Sequence, residues 1–211
     1  MVKDGIYYGI AFSATGALLG YLLHPAFAAP LFIVAIFCLY FFRDPDRIIP
    51  DGPVAVSPAD GKVVGIVGDG AGAECTRISI FLNIFDVHVN RAPIAGKIAN
   101  VEYIRGRFLV ASREVASSQN ERNTVTIVGN IAGDSTSVRF AQIAGLIARR
   151  IVFYKKPGDT VAKGERVGLI KFGSRVDIFL GPEWEIKVRP GERVSGGSSV
   201  LAQRREATRQ S

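Results

Sequence analysis

The chain has 211 residues, room for one domain of about 150 residues and an appendage. Apolar residues make up 48% and charged residues 21%, which excludes a disordered chain. The formal charge of +7 lies wholly behind residue 42, because Lys3 and Asp4 cancel within the first 42 positions. A basic body therefore follows an apolar head. Such a body seeks an anionic partner, and the head favours a lipid surface over nucleic acid. Cys38 and Cys75 are too few for a disulfide framework and suit a reducing compartment. No group of His, Cys, Asp and Glu has metal-ligand spacing, so no metal is expected.

The head holds two uncharged runs, Gly5–Leu23 and Ala26–Phe42, of 19 and 17 residues. As helices they would span about 28 and about 26 Å, close to the hydrocarbon thickness of a bilayer. His24-Pro25 breaks them apart. Lys3 and Arg43 are the flanking cations, which predicts a helical hairpin over residues 1–43 with both ends cytoplasmic. Tyr7, Tyr8 and Tyr40 fall at the same interface. A cleaved signal peptide ending at Ala26-Phe27-Ala28 is one alternative. A re-entrant hairpin is another, since the second run is short and contains Pro30.

Residues 44–211 read as a β-rich body in which short apolar runs alternate with Gly, Pro and Asp. Strands are expected over Lys62–Val67, Thr76–Phe81, Gly96–Ile104, Thr124–Gly129 and Ser137–Ile143. Further strands are expected over Ile151–Phe153, Arg166–Lys171, Val176–Leu180 and Trp184–Val188. The Gly-rich stretch from Val67 to Ala73 reads as a hairpin tip, because a strand-like run and not a helix follows it. Phe108–Arg122 reads as a loop with at most a short helix. The run beginning Pro157-Gly158-Asp159 repeats at Pro190-Gly191-Glu192, 33 residues on, with a second Gly and two Val in step. Paired turns of this kind look like a lipoyl-type barrel-sandwich, so the fold class is mainly β (α+β) behind an apolar hairpin.

Three places could carry chemistry. His88 lies in Phe85-Asp86-Val87-His88-Val89-Asn90-Arg91, and Asp60 in Ser57-Pro58-Ala59-Asp60-Gly61-Lys62. Alone, the first reads as a structural histidine and the second as a turn residue. Phe172-Gly173-Ser174-Arg175 is ordinary turn chemistry, or a strained peptide whose serine attacks the preceding carbonyl.

Taken in order from about residue 41 to 180, these segments resemble the phosphatidylserine decarboxylase proenzyme family, in its short bacterial and archaeal branch. Phe41-Phe42-Arg43-Asp44-Pro45, Asn120-Glu121-Arg122-Asn123, Gln142-Ile143-Ala144-Gly145 and Ala148-Arg149-Arg150-Ile151 add to the match, as does Gly164-Glu165-Arg166-Val167-Gly168. The resemblance implies self-cleavage between Gly173 and Ser174, leaving a β chain, 1–173, and an α chain, 174–211, held together as a heterodimer. Ser174 would become a covalent pyruvoyl cofactor that forms a Schiff base with the amine of phosphatidylserine, the product being phosphatidylethanolamine. It further implies His88 as proton donor and Asp60 as an aid to self-cleavage. Long-form members carry two histidines three apart; here the second position is Arg91. Arg122, Arg149 and Arg150 are candidate clamps for phosphate or carboxylate, or a solvated basic face.

The implied setting is the cell membrane, with the body on its cytoplasmic face, no nucleic-acid partner, and room for a higher oligomer. An archaetidylserine decarboxylase would share every one of these residues. A non-enzymatic lipoyl-like membrane adaptor would leave Gly173-Ser174 unexplained, and a carrier lysine beside Met is missing, since Met1 stands alone.

Overall fold

A computed structural model of the chain describes residues 2–68, 75–146, 150–171 and 173–205. Most of the Gly-rich tip, Arg149, Phe172 and the end of the basic tail lie outside the described residues. The chain divides into two compact units, Met1–Asp46 and Arg47–Ser211.

In the first unit, α1 (Lys3–Leu22) and α2 (Ala28–Phe41) are joined by a single 3-10 turn, Pro25–Phe27. His24 Nδ1 accepts the Ala26 N–H at 3.2 Å and so starts that turn. The two helices run antiparallel, and the Val2 N–H donates to the Phe42 carbonyl at 3.0 Å, closing the open end. Gly5, Gly9 and Gly16 are buried on α1. A Cβ at Gly5 would stand 2.5 Å from Phe42 Cβ, and one at Gly9 2.8 Å from Leu39, so small residues permit the close approach. The outer faces stay apolar and exposed, with Ile10, Leu22, Ile33 and Ile36 among them. Among the described residues α1 alone has the length and composition to cross a membrane. The 14 residues of α2 reach about 21 Å, short of the hydrocarbon thickness. The second helix is shorter than the 17-residue run expected, because Pro25–Phe27 is spent on the turn.

The second unit is mainly β. In chain order its strands are β1 (Val54–Val56), β2 (Gly61–Val67), β3 (Thr76–Leu82), β4 (Val89–Arg91) and β5 (Gly96–Ile104). After a one-turn helix, α3 (Ala116–Gln119), come β6 (Arg122–Ile131), β7 (Asp134–Ala144), β8 (Arg150–Phe153) and β9 (Thr160–Val161). The last are β10 (Arg166–Lys171), β11 (Ser174–Leu180), β12 (Trp184–Ile186), β13 (Arg193–Val194) and β14 (Val200–Arg204). A curled eight-stranded sheet has the order β13-β2-β3-β11-β7-β6-β5-β9, flanked by three-stranded sheets β4-β10-β8 and β1-β14-β12. The alternation seen in the sequence is the burial pattern: Ile78, Ile80 and Leu82, Val138 and Phe140, and Val176, Ile178 and Leu180 all point into one core.

The repeated turns are conformational twins. Gly158 and Gly191 have φ of +98° and +93°, and Gly164 and Gly197 have +77° and +81°, values that suit glycine. Val161 and Val194 are both buried. Gly158 N–H donates to Ile98 O and Gly191 N–H to Val63 O; Gly164 N–H donates to Ala92 O and Gly197 N–H to Ser57 O. Those acceptors are themselves 35 residues apart, in Ser57-Pro58-Ala59-Asp60-Gly61-Lys62-Val63 and Ala92-Pro93-Ile94-Ala95-Gly96-Lys97-Ile98. Accordingly β13 pairs with the start of β2, and β9 with the start of β5. The body is built from two similar halves, and Asp60 is matched in the other half by Ala95.

Candidate active site

The end of the large sheet gathers the residues of interest. β10 belongs to one of the small sheets, and within two residues, 172 and 173, the chain crosses to begin β11 in the large one. Ser174 is the first residue of β11 and pairs with Leu82 on one side and Ala144 on the other. A strand was expected only from Val176; it starts earlier because both neighbouring strands reach this far. Gly173 bends into the left-handed region at φ +54°, which glycine adopts without a steric penalty. Its carbonyl lies against Gly145, where a Cβ would come within 2.2 Å of the oxygen.

His88 reaches the same crossing from the loop between β3 and β4. Its Nε2 is 3.2 Å from the Gly173 amide nitrogen, and its Nδ1 is 2.8 Å from the Asp86 carbonyl oxygen. The carbonyl only accepts and the amide only donates. The ring is therefore a neutral imidazole with its proton on Nδ1 and its lone pair on Nε2, aimed at the crossing. The Asp86 carboxylate pairs with Arg193 and accepts the Asn83 N–H at 2.9 Å, which sets the loop. Ser174 is fully buried, and its Oγ has no hydrogen-bond partner among the described residues. Leaving a buried hydroxyl unpaired costs about 1–3 kcal/mol, a marker of a group held for use.

Behind Ser174 stands a chain of buried amides that sequence reasoning passed over. Asn123 Nδ2 donates to Gln142 Oε1 at 3.0 Å, and Gln142 Nε2 donates to Asn90 Oδ1 at 2.9 Å. Gln142 pairs with Val176, two residues beyond Ser174, and Asn90 is two residues beyond His88. Asn120, also fully buried, exchanges bonds with Leu109 and donates to the Ala144 carbonyl at 2.7 Å. Asn120, Asn123 and Gln142 all lay in segments that resembled the family; nothing in their spacing alone marked them.

The other expected residues are spread more widely. Asp60 precedes β2, and with β3 between β2 and β11 it lies two strand spacings, about 10 Å, from Ser174. Its two oxygens accept from Arg47 Nη2 at 2.9 and 2.8 Å, and one also takes the Gly196 N–H at 2.7 Å. Arg91, at the position of the long-form second histidine, donates from Nη1 to the Gly164 carbonyl at 3.0 Å and packs on Gly197. Arg122 pairs with Ile143, the partner of Arg175, so it shares the outer face of the sheet with Arg175, opposite the Ser174 side chain. There it donates to the Ser118 carbonyl at 2.7 Å and lines a cleft of about 220 Å³ with Ser117, Arg139, Asp177 and Phe179. Arg150 is exposed and pairs with Lys171, three residues before Ser174; Arg149 lies outside the described residues. Among the described residues no cluster of His, Cys, Asp and Glu could hold a metal.

That outer face carries an ionic network that runs from the buried Arg175–Asp177 pair out to the exposed Glu114. Arg175 Nε donates to Asp177 at 2.6 Å, and its Nη2 reaches Ser79 Oγ at 2.6 Å and Glu114 at 3.2 Å. Ser117 Oγ donates to Asp177 at 2.7 Å, and Arg77 pairs with Glu114.

The chain is similar to known proteins over nearly its whole length. The family model described as phosphatidylserine decarboxylase matches residues 34–202. A Solibacter usitatus protein named phosphatidylserine decarboxylase proenzyme is 65% identical over 204 residues, 97% of each chain. Proteins of the same name from Cupriavidus pinatubonensis and Syntrophus aciditrophicus are 45% and 43% identical, covering 92% and 95% of this chain and 93% and 96% of their own. The chain is thus an enzyme of the decarboxylase class. It belongs to the phosphatidylserine decarboxylase proenzyme family.

The network makes acid stability testable. Burial works against the Glu114 carboxylate, but hydrogen bonds and charge from Arg77 and Arg175 outweigh it, leaving its pKa below the ordinary value. A depressed carboxylate pKa contributes stability above the unfolded-state pKa that is lost as pH falls through the folded one. Glu114→Gln should therefore be the less stable protein at neutral pH, with the two denaturation midpoints converging below about pH 4. The effect is small, because Glu114 is 66% exposed and screened by solvent. Urea titrations across pH check it.

Proposed function

We propose that the chain cuts itself between Gly173 and Ser174 and, so matured, decarboxylates phosphatidylserine to phosphatidylethanolamine at an anionic membrane surface. The observation that carries this reading is the crossing itself: an unpaired, buried serine hydroxyl follows a left-handed glycine whose amide meets the lone pair of His88. Ser174 Oγ attacks the Gly173 carbonyl carbon, His88 Nε2 takes the hydroxyl proton and returns it to the departing Ser174 nitrogen, and the amide becomes an ester. Loss of the Ser174 α-proton then expels the Gly173 carboxylate, leaving a dehydroalanine N-terminus. Its enamine tautomerises to an imine, and water replaces the nitrogen, which leaves as ammonia.

The residues present fit the pyruvoyl group that results, because position 174 is buried and held between two strands. When formed, that group supplies an electrophilic carbonyl that accepts electrons as CO₂ leaves the substrate. His88 donates the proton that replaces CO₂. Position 91 cannot supply a second base, since a guanidinium stays protonated at any working pH. Asp60 assists by fixing Arg47 and the Gly196 turn. Arg150, beside the crossing, takes the phosphate or carboxylate of the headgroup, with Arg149 and Arg122 as the further candidate clamps. The 1–173 and 174–211 chains stay associated through β11, which lies between β3 and β7 of the larger piece.

A lipid setting is supported from both units. The first has apolar helices with exposed outer faces, flanked by Lys3 and Arg43, which favours a cytoplasmic body. On the second, the loops meeting at Gly173 expose Ile84, Phe85, Val110 and Leu146, with the cations Arg107, Arg113 and Arg150 nearby in the chain. This rim faces the membrane.

The reading is tested first by intact mass under denaturing conditions, with and without hydroxylamine. Two chains are expected, the smaller being residues 174–211 with a blocked, carbonyl-bearing N-terminus, and Ser174→Ala should stay whole. A wild-type chain that remains whole in both conditions would overturn the reading. Gly145→Ala should slow processing by at least an order of magnitude, because its methyl displaces the Gly173 carbonyl; a time course of cleavage checks this. For the rim, an environment-sensitive dye on Phe85→Cys or Leu146→Cys, in a chain otherwise free of cysteine, should shift to the blue on anionic vesicles. The same dye on the exposed Lys156→Cys, three residues past the end of β8 that lies away from Arg150, should not.

A further inference from the structure

Arg175 is the least expected buried residue in the protein: a guanidinium 1% exposed, one position after the proposed cut. Before cleavage, Gly173 holds residue 174 covalently. Afterwards residue 174 is a chain end, and strand ends fray unless something ties them down. Its own side chain offers no tie, since Oγ has no partner among the described residues and is consumed in the reaction. The ladder to Leu82 and Ala144 remains, but the terminal pair of a ladder is the first to open.

We propose that Arg175 is the positioning residue that holds the new α-chain end in place, a role that rests on the self-cleavage reading. Three of its four contacts belong to the 1–173 chain: Ser79 Oγ at 2.6 Å, the Glu114 carboxylate at 3.2 Å and the Arg113 carbonyl at 3.4 Å. The fourth, Asp177 at 2.6 Å, balances the charge within β11, and Ser117 of the 1–173 chain fixes Asp177 in turn. A guanidinium suits the task because its planar fork can donate to several acceptors at once from one rigid group. It acts from the outer face, so the core face beside residue 174 stays open for chemistry.

The test uses purified, processed enzyme. Arg175→Met should still cleave, because the uncut chain holds residue 174 from both sides. The mature variant should lose about 10²-fold in kcat, the scale of loss from a misplacement of an ångström, with KM changed by less than about threefold. Hydrogen exchange should show faster exchange at the amides of residues 175–177 and wild-type protection at 178–180. Arg175→Lys should recover part of kcat. Ser79→Ala, which removes one acceptor and leaves a small methyl, should give the same pattern more weakly and serves if Arg175→Met does not fold. Wild-type kcat in processed Arg175→Met, or in processed Ser79→Ala if only that variant folds, would overturn the proposal. So would a loss confined to KM, or protection lost uniformly along β3, β7 and β11, which marks a merely structural role. Should wild type fail to cleave, the self-cleavage reading falls and this proposal with it; if wild type cleaves, every other outcome judges Arg175 alone.

Discussion

The pairing of β11 between β3 and β7 is the constraint from which the rest of the molecule follows. It places Ser174 in the interior of a sheet at that sheet's end, with a neighbour strand on either hand. The chain must arrive there from a different sheet in two residues, so one of them takes a left-handed turn, and only a glycine opposite, Gly145, leaves room for the turned carbonyl. A peptide in this position has its carbonyl, its following hydroxyl and an imidazole within one small volume. Strand pairing and the Asp86–Arg193 ion pair that sets the His88 loop bring them together.

Two similar halves make up the body, and the difference between them is informative. Each half seats a Gly-turn loop on a Pro-x-x-Gly-Lys segment with the same pair of backbone bonds. In one half the seat holds Ala95, and nearby Lys163 donates to the Gly52 carbonyl at 3.0 Å beside an apolar cleft of about 310 Å³. In the other it holds Asp60, and the matching loop position is Gly196, whose N–H binds the carboxylate. A fold that needs no acid at this seat in one half carries one in the other, closed off by Arg47. Asp60 is therefore better explained by what happens at its own end of the sheet than by turn formation, which Ala95 accomplishes without it.

The strand pattern was largely legible in the sequence, because half-buried strands alternate and their ends carry Gly, Pro or Asp. What escaped were β1, β4, β9 and β13, two or three residues each and too short for any period to show, and the five-residue β14, which runs without alternation into the basic tail. The second repeat was hidden for a similar reason, since it shares few identities around its Pro, Gly and Lys. The strand expected from Val176 begins two residues earlier, at Ser174, and the charged Arg175 and Asp177 within it are both buried. Their burial depends on Ser79, Glu114 and Ser117, separated by 60 residues or more, and no local pattern records such a neutralisation. His88 and Gly173 gained their meaning only through the family resemblance, for the contact between them spans 85 residues.

The way His88 is held bears on how one imidazole can serve two reactions. Its Nδ1 proton is committed to a backbone carbonyl, not to a carboxylate. A carboxylate partner would stabilise the imidazolium and strengthen the base; a carbonyl fixes the tautomer with a weaker effect on basicity. A group that must first accept a proton from Ser174 and later hand one to a carbanion works best with its pKa near neutrality, where neither direction is steeply uphill. The nearby Asp86 carboxylate could have supplied the stronger arrangement, but Arg193 and the Asn83 N–H occupy it. With Arg91 bound to the Gly164 carbonyl at the other candidate position, the loop presents His88 Nε2 at the crossing. On the proposed self-cleavage reading, that nitrogen is the one proton carrier that both steps share.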